Sequence, residues 1–227
     1  MFMKTKVQIQ IVTWNSRPLW ERLFLGIERQ AGVDFSVLVI DNASSDGTVS
    51  EITNHQSPIT NKISIINNQT NRGFAVAHNQ GFAICQAPYV LVLNPDTELQ
   101  SGYLEEVLRV MESTSPLTRI ASVQGKLYRE LPKEGKYGII DSCGLKMRPW
   151  GQVVDIGQNR ADKGDFEAQT EVWGVTGACA LYRLEALKQV ADKHGIFDER
   201  FGSYKEDVDL AWRLKRAGWK AVFTPQA

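Results

Sequence analysis

Three carboxylates stand at the end of an apolar run or at the start of a helix, where a side chain can meet a ligand. They are Asp41 closing "FSVLVID", Asp96 in "YVLVLNPDTEL", and Asp207 in "EDVDLAWRLKRAG". Asp96 follows an unbroken apolar run, the mark of a central strand, and the preceding Pro95 stiffens the exit and removes a donor from the sheet. Mg2+ or Mn2+ takes oxygen ligands and needs only one or two protein carboxylates when water and substrate phosphates complete the shell, so Asp96 is a candidate metal ligand. The competing reading makes Asn94-Pro95-Asp96 an ordinary turn, with Asp96 or Thr97 capping the next helix. Asp207 opens a helix beside Glu206. Ser203 and Glu206 match a capping box, which gives Glu206 a structural duty. Asp207 has none, and a carboxylate there beside a cleft can act as general base toward a hydroxyl. Asp209 reads as a supporting or solvent-facing charge.

A second group suggests a nucleotide. Trp14 offers a face for a base, and Asp41 an acceptor for the imide N–H of uracil or thymine, next to Thr13 at the end of "VQIQIVT". Asp41 serves equally well as the first residue of an Asx turn in "DNASSDG", and Trp14 as half-buried packing. Gly73 opens a helix whose free N–H groups can take a phosphate, although glycine at that place is also a plain turn residue. Asn79 lies within the same helix and reaches either the ligand edge or solvent.

The elements that must position these residues follow from periodicity. From Val7 to about Gly125, apolar runs alternate with helical patterns, as in "PLWERLFLGIERQ", "KISIINN", "GFAVAHNQGFAIC" and "IASVQG". Such alternation predicts an α/β fold with a mostly parallel central sheet and helices on both faces. Right-handed crossovers then gather the strand exits on one edge, where open sheets bind ligands. Ser16 with Pro18, and the Ser44, Ser45, Asp46 cluster, read as helix starts. Lys126 to Glu171 reads as an irregular insertion with short strands around "GIIDSCGLKM" and "GQVVDIG". Beyond it come the strand in "VWGVTGACALYR", the helices "LEALKQVADKHG" and "EDVDLAWRLKRAG", and "AVFTP". The last helix carries an apolar stripe of Val208, Leu210, Ala211, Leu214 and Ala217.

Bulk properties exclude several classes. With 26 basic and 26 acidic residues in 227, the formal charge is zero, so no long-range field favours nucleic acid. Cys85, Cys143 and Cys179 are widely spaced without a C-x-x-C pair, which speaks against a disulfide framework or zinc ribbon and for a reducing, cytoplasmic setting. "MFMKTKVQIQIV" lacks the marks of a signal peptide, and no run reaches transmembrane length. P-loop, G-x-G-x-x-G, H-E-x-x-H and G-x-S-x-G motifs are absent, and His55, His78 and His194 are scattered. "WKAVFTPQA" reads as a strand entering a loop with nothing to close the fold, as in a chain shortened at its C-terminus.

The succession "IVTWNS", "VLVIDNASSDGT", "NQTNRGFAVAHNQGF", "YVLVLNPDTEL", "VTGACALYR" and "FDERFGSYKEDVDLAWRLKRAGW" resembles family 2 inverting glycosyltransferases of the GT-A fold, in particular their rhamnosyltransferase-like branch. The resemblance implies one GT-A domain over 1–227, with a nucleotide-sugar half (1–125) and an acceptor and catalytic half (126–227). Thr13, Trp14 and Asp41 would hold the nucleoside, with Asn71, Gly73, Asn79 and Asn94 nearby. "NPD" would replace the family's D-x-D motif, so that Asp96 alone supplies the carboxylate for Mg2+ or Mn2+. Asp207 would be the catalytic base, and Gly177, Ala178 and Glu206 would face the acceptor. The donor implied is a UDP- or dTDP-sugar, with dTDP-rhamnose included. The acceptor is a glycan or lipid-linked hydroxyl in cell-envelope polysaccharide synthesis, in the cytoplasm or at the cytoplasmic face of the inner membrane. Family members generally continue beyond this length, often with a histidine near the diphosphate. Without Q-x-x-R-W, addition of a single sugar is favoured over processive synthesis. Two rivals are a sugar-nucleotide nucleotidyltransferase, which wants a glycine- and lysine/arginine-rich loop where "TWNSRPLW" stands, and a non-catalytic nucleotide-sugar-binding module. A receiver-type domain using "VIDNAS" is disfavoured by length.

Overall fold

The computed structural model describes residues 5–113, 119–134 and 136–227. The first four residues of the amino-terminal stretch and Gly135 of the insertion lie outside the described residues. Strands β1 (Val7–Thr13), β2 (Phe35–Asp41), β3 (Ile63–Asn67) and β4 (Tyr89–Leu93) alternate with helices α1 (Trp20–Glu28), α2 (Thr48–Asn54) and α3 (Phe74–Ile84), and α4 (Tyr103–Glu112) leads to β5 (Ile120–Gln124). The insertion forms two small hairpins, β6 (Leu127–Glu130) with β7 (Ile139–Ser142) and β8 (Leu145–Met147) with β9 (Val153–Asp155). The remainder comprises β10 (Thr170–Val172), β11 (Cys179–Arg183), α5 (Leu184–Val190), α6 (Glu206–Arg216) and β12 (Lys220–Phe223).

One eight-stranded sheet runs β10-β12-β5-β11-β4-β1-β2-β3 and so joins strands from both halves of the chain. β1 to β5 and β12 run one way. β11 and β10 run against them. The direction of β11 determines where the site forms, because its first residue, Cys179, is level with Leu93 at the end of β4. An antiparallel strand delivers the loop before it to the edge where parallel neighbours deliver the loops after them. "VTGACA" therefore meets "NPD".

Helices cover both faces. On β4, Leu91 and Leu93 enter a core with Phe24, Ile52 and Leu104, while Val90 and Val92 enter another with Phe82, Leu187 and Leu210. A strand with both faces buried needs no polar alternation, which accounts for the continuous "YVLVL". β1 departs from that pattern. Its Gln8 and Gln10 are buried against α3, and the Gln10 amide donates to the His78 carbonyl at 2.8 Å and lies 2.8 Å from His78 Nδ1. Burial pushes the His78 imidazole down to about 3, so the ring is neutral in this network. A methyl group at Gly81 would collide with the Gln10 amide, so glycine is what lets α3 approach the strand.

Two local expectations differ. Ser16 with Pro18 does mark a helix start, but of a short 3-10 turn (Arg17–Leu19) that precedes α1, and the Ser16 hydroxyl donates to the Trp14 carbonyl instead of capping it. α5 stops at Val190, earlier than its pattern suggested, because Asp192 turns the chain by accepting the His194 N–H.

Candidate functional site

The sheet register aligns the first group. Thr13 on β1 pairs with Asp41 on β2, and Asp41 with Asn67 on β3, so three strand ends share one level. The loops beyond them are joined to one another. Asn15 N–H donates to Ser44 Oγ and Ser45 N–H to Asn15 Oδ1, each at 2.8 Å, and Ser16 N–H reaches Thr48 Oγ1. Asn15 and Ala43 hold left-handed backbones, unusual for alanine, at a cost of about 1–2 kcal/mol per residue that the interlocked loops offset. Trp14 is 56% exposed, so its ring is available for stacking rather than used in packing. Asp41 is buried and does take the turn role, accepting from the Ser44 N–H and hydroxyl. Each of its oxygens keeps a second acceptor site. Thr13 Oγ1 is buried with no partner among the described residues.

The α3 region is only partly available. Gly73 has a left-handed φ of 79° at the helix start, and its N–H is taken by Asn71 Oδ1 at 2.9 Å. Asn71 is therefore a turn former, and Gly73's own N–H is not free for a phosphate. Asn79 differs from the expectation of a ligand-edge residue. Both of its amide N–H groups are used, one on the Phe197 carbonyl and one on Glu199, and its oxygen accepts the Phe197 N–H. It fastens α3 to the loop before α6.

The second group forms where β4, β11 and α6 meet. Asn94 N–H donates to the Ala178 carbonyl at 2.8 Å, and Gly177 N–H donates to Asp207 Oδ2 at 3.2 Å. Asp207 Oδ1 accepts the Val208 N–H at 2.7 Å. These bonds fix the Asp207 carboxylate beside a cleft of about 540 Å³ lined also by Asn94, Thr176, Gly177, Ala178 and Glu206. Asp209 pairs with Arg213, whose guanidinium also donates to the Val190 and Ile196 carbonyls, so it supports the helix from outside the cleft.

The capping box is not formed. The α6 N-cap is Lys205, in a left-handed conformation together with Tyr204, and no side chain caps the helix. Glu206 is instead 6% exposed, and its Oε2 has no partner among the described residues. Burial, reinforced by the charge of Asp207, pushes its carboxyl from 4.5 up to about 7. The native state then keeps a proton that the unfolded chain releases, so stability is complete below the ordinary carboxylate range and is lost as pH rises through 7. Melting temperature is expected to fall between about pH 5 and pH 8, and Glu206→Gln to remove roughly 2 kcal/mol of the stability lost over that range. Thermal melts at several pH values check this; parallel curves for parent and variant would mean that Glu206 titrates normally.

Asp96 is exposed beyond Asn94 and has no hydrogen-bond or ion-pair partner among the described residues. It does not cap a helix, nor does Thr97, because α4 starts only at Tyr103 with Gly102 as its N-cap. No group of three or more His, Cys, Asp or Glu side chains is placed to hold a metal among the described residues. A single free carboxylate suits a hard cation that brings water and phosphate oxygens as its other ligands; it does not suit an all-protein cage. Among the described residues no helix is long and apolar enough to cross a membrane, and the three cysteines are buried and unpaired.

Residues 9–191 match the family described as Glycosyl transferase family 2. The chain is 28% identical over 238 residues to the N-acetylglucosaminyl-diphospho-decaprenol L-rhamnosyltransferase of Mycobacterium tuberculosis, covering 95% of this chain and 72% of that protein. It is 31% identical over 169 residues to the pre-mycofactocin glycosyltransferase of the same organism, covering 73% and 31%. Among solved structures, the mannosyltransferase PcManGT from Pyrobaculum calidifontis, in complex with GDP-Man and Mn2+, matches with a TM-score of 0.67 at 19% identity, over 99% of this chain and 56% of that one. S. aureus TarS 1-349 matches with a TM-score of 0.63 at 14% identity, over 92% and 55%. The chain thus spans little more than half the length of these two solved structures. With strand ends, "NPD" turn and α6 carboxylates gathered on one edge of a mostly parallel sheet, and with the family match over residues 9–191, the chain belongs to glycosyl transferase family 2, on a GT-A fold.

Proposed function

We propose that the chain moves a sugar from a UDP- or dTDP-sugar to a hydroxyl of a glycan or lipid-linked acceptor with inversion at the anomeric carbon. The observation that carries this reading is the Asp207 carboxylate, held by the Gly177 and Val208 N–H groups at the cleft that Asn94 also lines. A base fixed by backbone groups keeps its position while a substrate hydroxyl approaches, and positioning is what general-base catalysis requires. Asp207 takes the proton as the acceptor oxygen attacks from the side opposite the nucleotide. The C–O bond to the sugar forms as the bond to the diphosphate breaks, and the configuration inverts. Trp14 stacks on the base and Asp41 accepts its imide N–H. Asp96 is the residue that would hold Mg2+ or Mn2+, which when bound neutralises charge on the departing diphosphate.

The rhamnosyltransferase relative favours a dTDP-rhamnose donor and a lipid-linked acceptor, hence peripheral contact with the cytoplasmic face of a membrane. The Mn2+ in the mannosyltransferase complex favours a divalent ion. The deciding experiment incubates the protein with a panel of nucleotide sugars and acceptors, with Mn2+ or with chelator, and identifies products. Release of nucleoside diphosphate and an inverted anomeric signal by NMR is the expected result. Pyrophosphate release would point to a nucleotidyltransferase, and donor binding without turnover to a degenerate binding domain.

A further inference from the structure

The wall of the cleft facing α6 comes from the insertion: Leu145 on β8, Val153 and Asp155 on β9, and Gln158 just beyond. Three carboxyl groups, Asp155, Glu206 and Asp207, therefore border one space, against a single cation among the described residues, Lys205. Asp155 lies within reach of the Asp207 charge: burial raises the Asp155 carboxyl, a Ser142 hydrogen bond opposes the rise, and the charges of Asp141 and Asp207 add to it. A cluster of acids alone would say little. Here the buried Glu206 adds an Oε2 with no partner, and a polar atom removed from water without a partner is costly unless a ligand supplies one.

Resting on the glycosyl-transfer reading above, we propose that Asp155 and Glu206 form the acceptor subsite and select an uncharged, hydroxyl-rich sugar. Their carboxyl oxygens hydrogen-bond hydroxyls that flank the one Asp207 deprotonates, and Leu145, Val153 and Phe74 offer apolar surface to the sugar ring. A phosphate or uronate in the same place would lie beside the Asp155 and Asp207 carboxylates, which disfavours it, while the Glu206 carboxyl, protonated up to about 7, can donate to a neutral sugar hydroxyl. On a lipid-linked acceptor, the diphosphate must then stay outside the cleft. Nothing in "GQVVDIG" distinguishes Asp155 from any strand acid; only its meeting with α6 does.

The test is equilibrium titration of the protein, with UDP or dTDP present, using methyl N-acetyl-β-glucosaminide and methyl β-glucuronide as probes. The parent is expected to bind the neutral glycoside at least about tenfold more tightly. Asp155→Asn, which preserves shape and removes charge, should narrow that preference to about threefold or less, and Asp155→Ala should weaken the neutral glycoside about tenfold. Equal affinity for both probes, no affinity for either, or an unaltered preference in Asp155→Asn overturns the proposal. Nucleoside diphosphate binding by the parent separates the two readings: if it persists while the preference is absent, only the subsite fails, and if it is missing, the transfer reading fails with it.

Discussion

Asp207→Asn is expected to lower glycosyl transfer by about a hundredfold to ten-thousandfold, the range for a lost general base, while donor affinity stays near that of the parent. The residue borders the cleft on the α6 side, away from the aligned ends of β1, β2 and β3 where the nucleoside would sit, so donor contacts should survive. The substitution has one structural cost that can be read separately. Asp207 accepts N–H groups on both oxygens, from Val208 and Gly177, and an asparagine can accept on only one. Losing one such bond costs about 1 kcal/mol of stability, far too little to account for the fall in rate if the protein remains folded. Single-turnover transfer beside a thermal melt and a donor titration makes the comparison. Transfer within a few fold of the parent would remove Asp207 as the base.

The edge formed by the ends of β1 to β4 was legible in the sequence because its signals are local. A continuous apolar run ending in Asn-Pro-Asp, or "VLVID" running into "NASSDG", states both the strand and its exit, and crossover handedness places the exits together. The side where β4, β11 and α6 meet was less legible because it depends on pairings distant in sequence. "ACALYR" reads as a strand in either direction, and only its register with β4 brings Gly177 and Ala178 to Asn94. Ser203 and Glu206 satisfy the spacing of a capping box, yet Tyr204 and Lys205 adopt left-handed backbones that carry the chain past that geometry and turn Glu206 inward. Non-glycine residues in that conformation are rare and cannot be read from composition. Asn79 misled for a related reason: its partners, Phe197 and Glu199, lie more than a hundred positions away.

Asp96→Ala should act on the donor itself and thereby separate the two carboxylates. If Asp96 holds the ion against the diphosphate, its loss should abolish the Mn2+ dependence of donor binding and lower donor hydrolysis and transfer together, by about a thousandfold if the ion contributes several kcal/mol. Stability should change by no more than about 0.5 kcal/mol, because the side chain is exposed and has no partner among the described residues to lose. Asn94 offers only a neutral amide oxygen in its place, without the charge of a carboxylate. Calorimetric titration of a nucleotide sugar with Mn2+ and with chelator reads the effect without turnover, and Asp96→Asn asks whether a neutral oxygen suffices. Metal-dependent heats that persist unchanged in Asp96→Ala would move the ion's ligand elsewhere on the sheet edge. Heats that never depend on metal, in parent or variant, would instead mean that the protein neutralises the leaving diphosphate with its own cations and N–H groups.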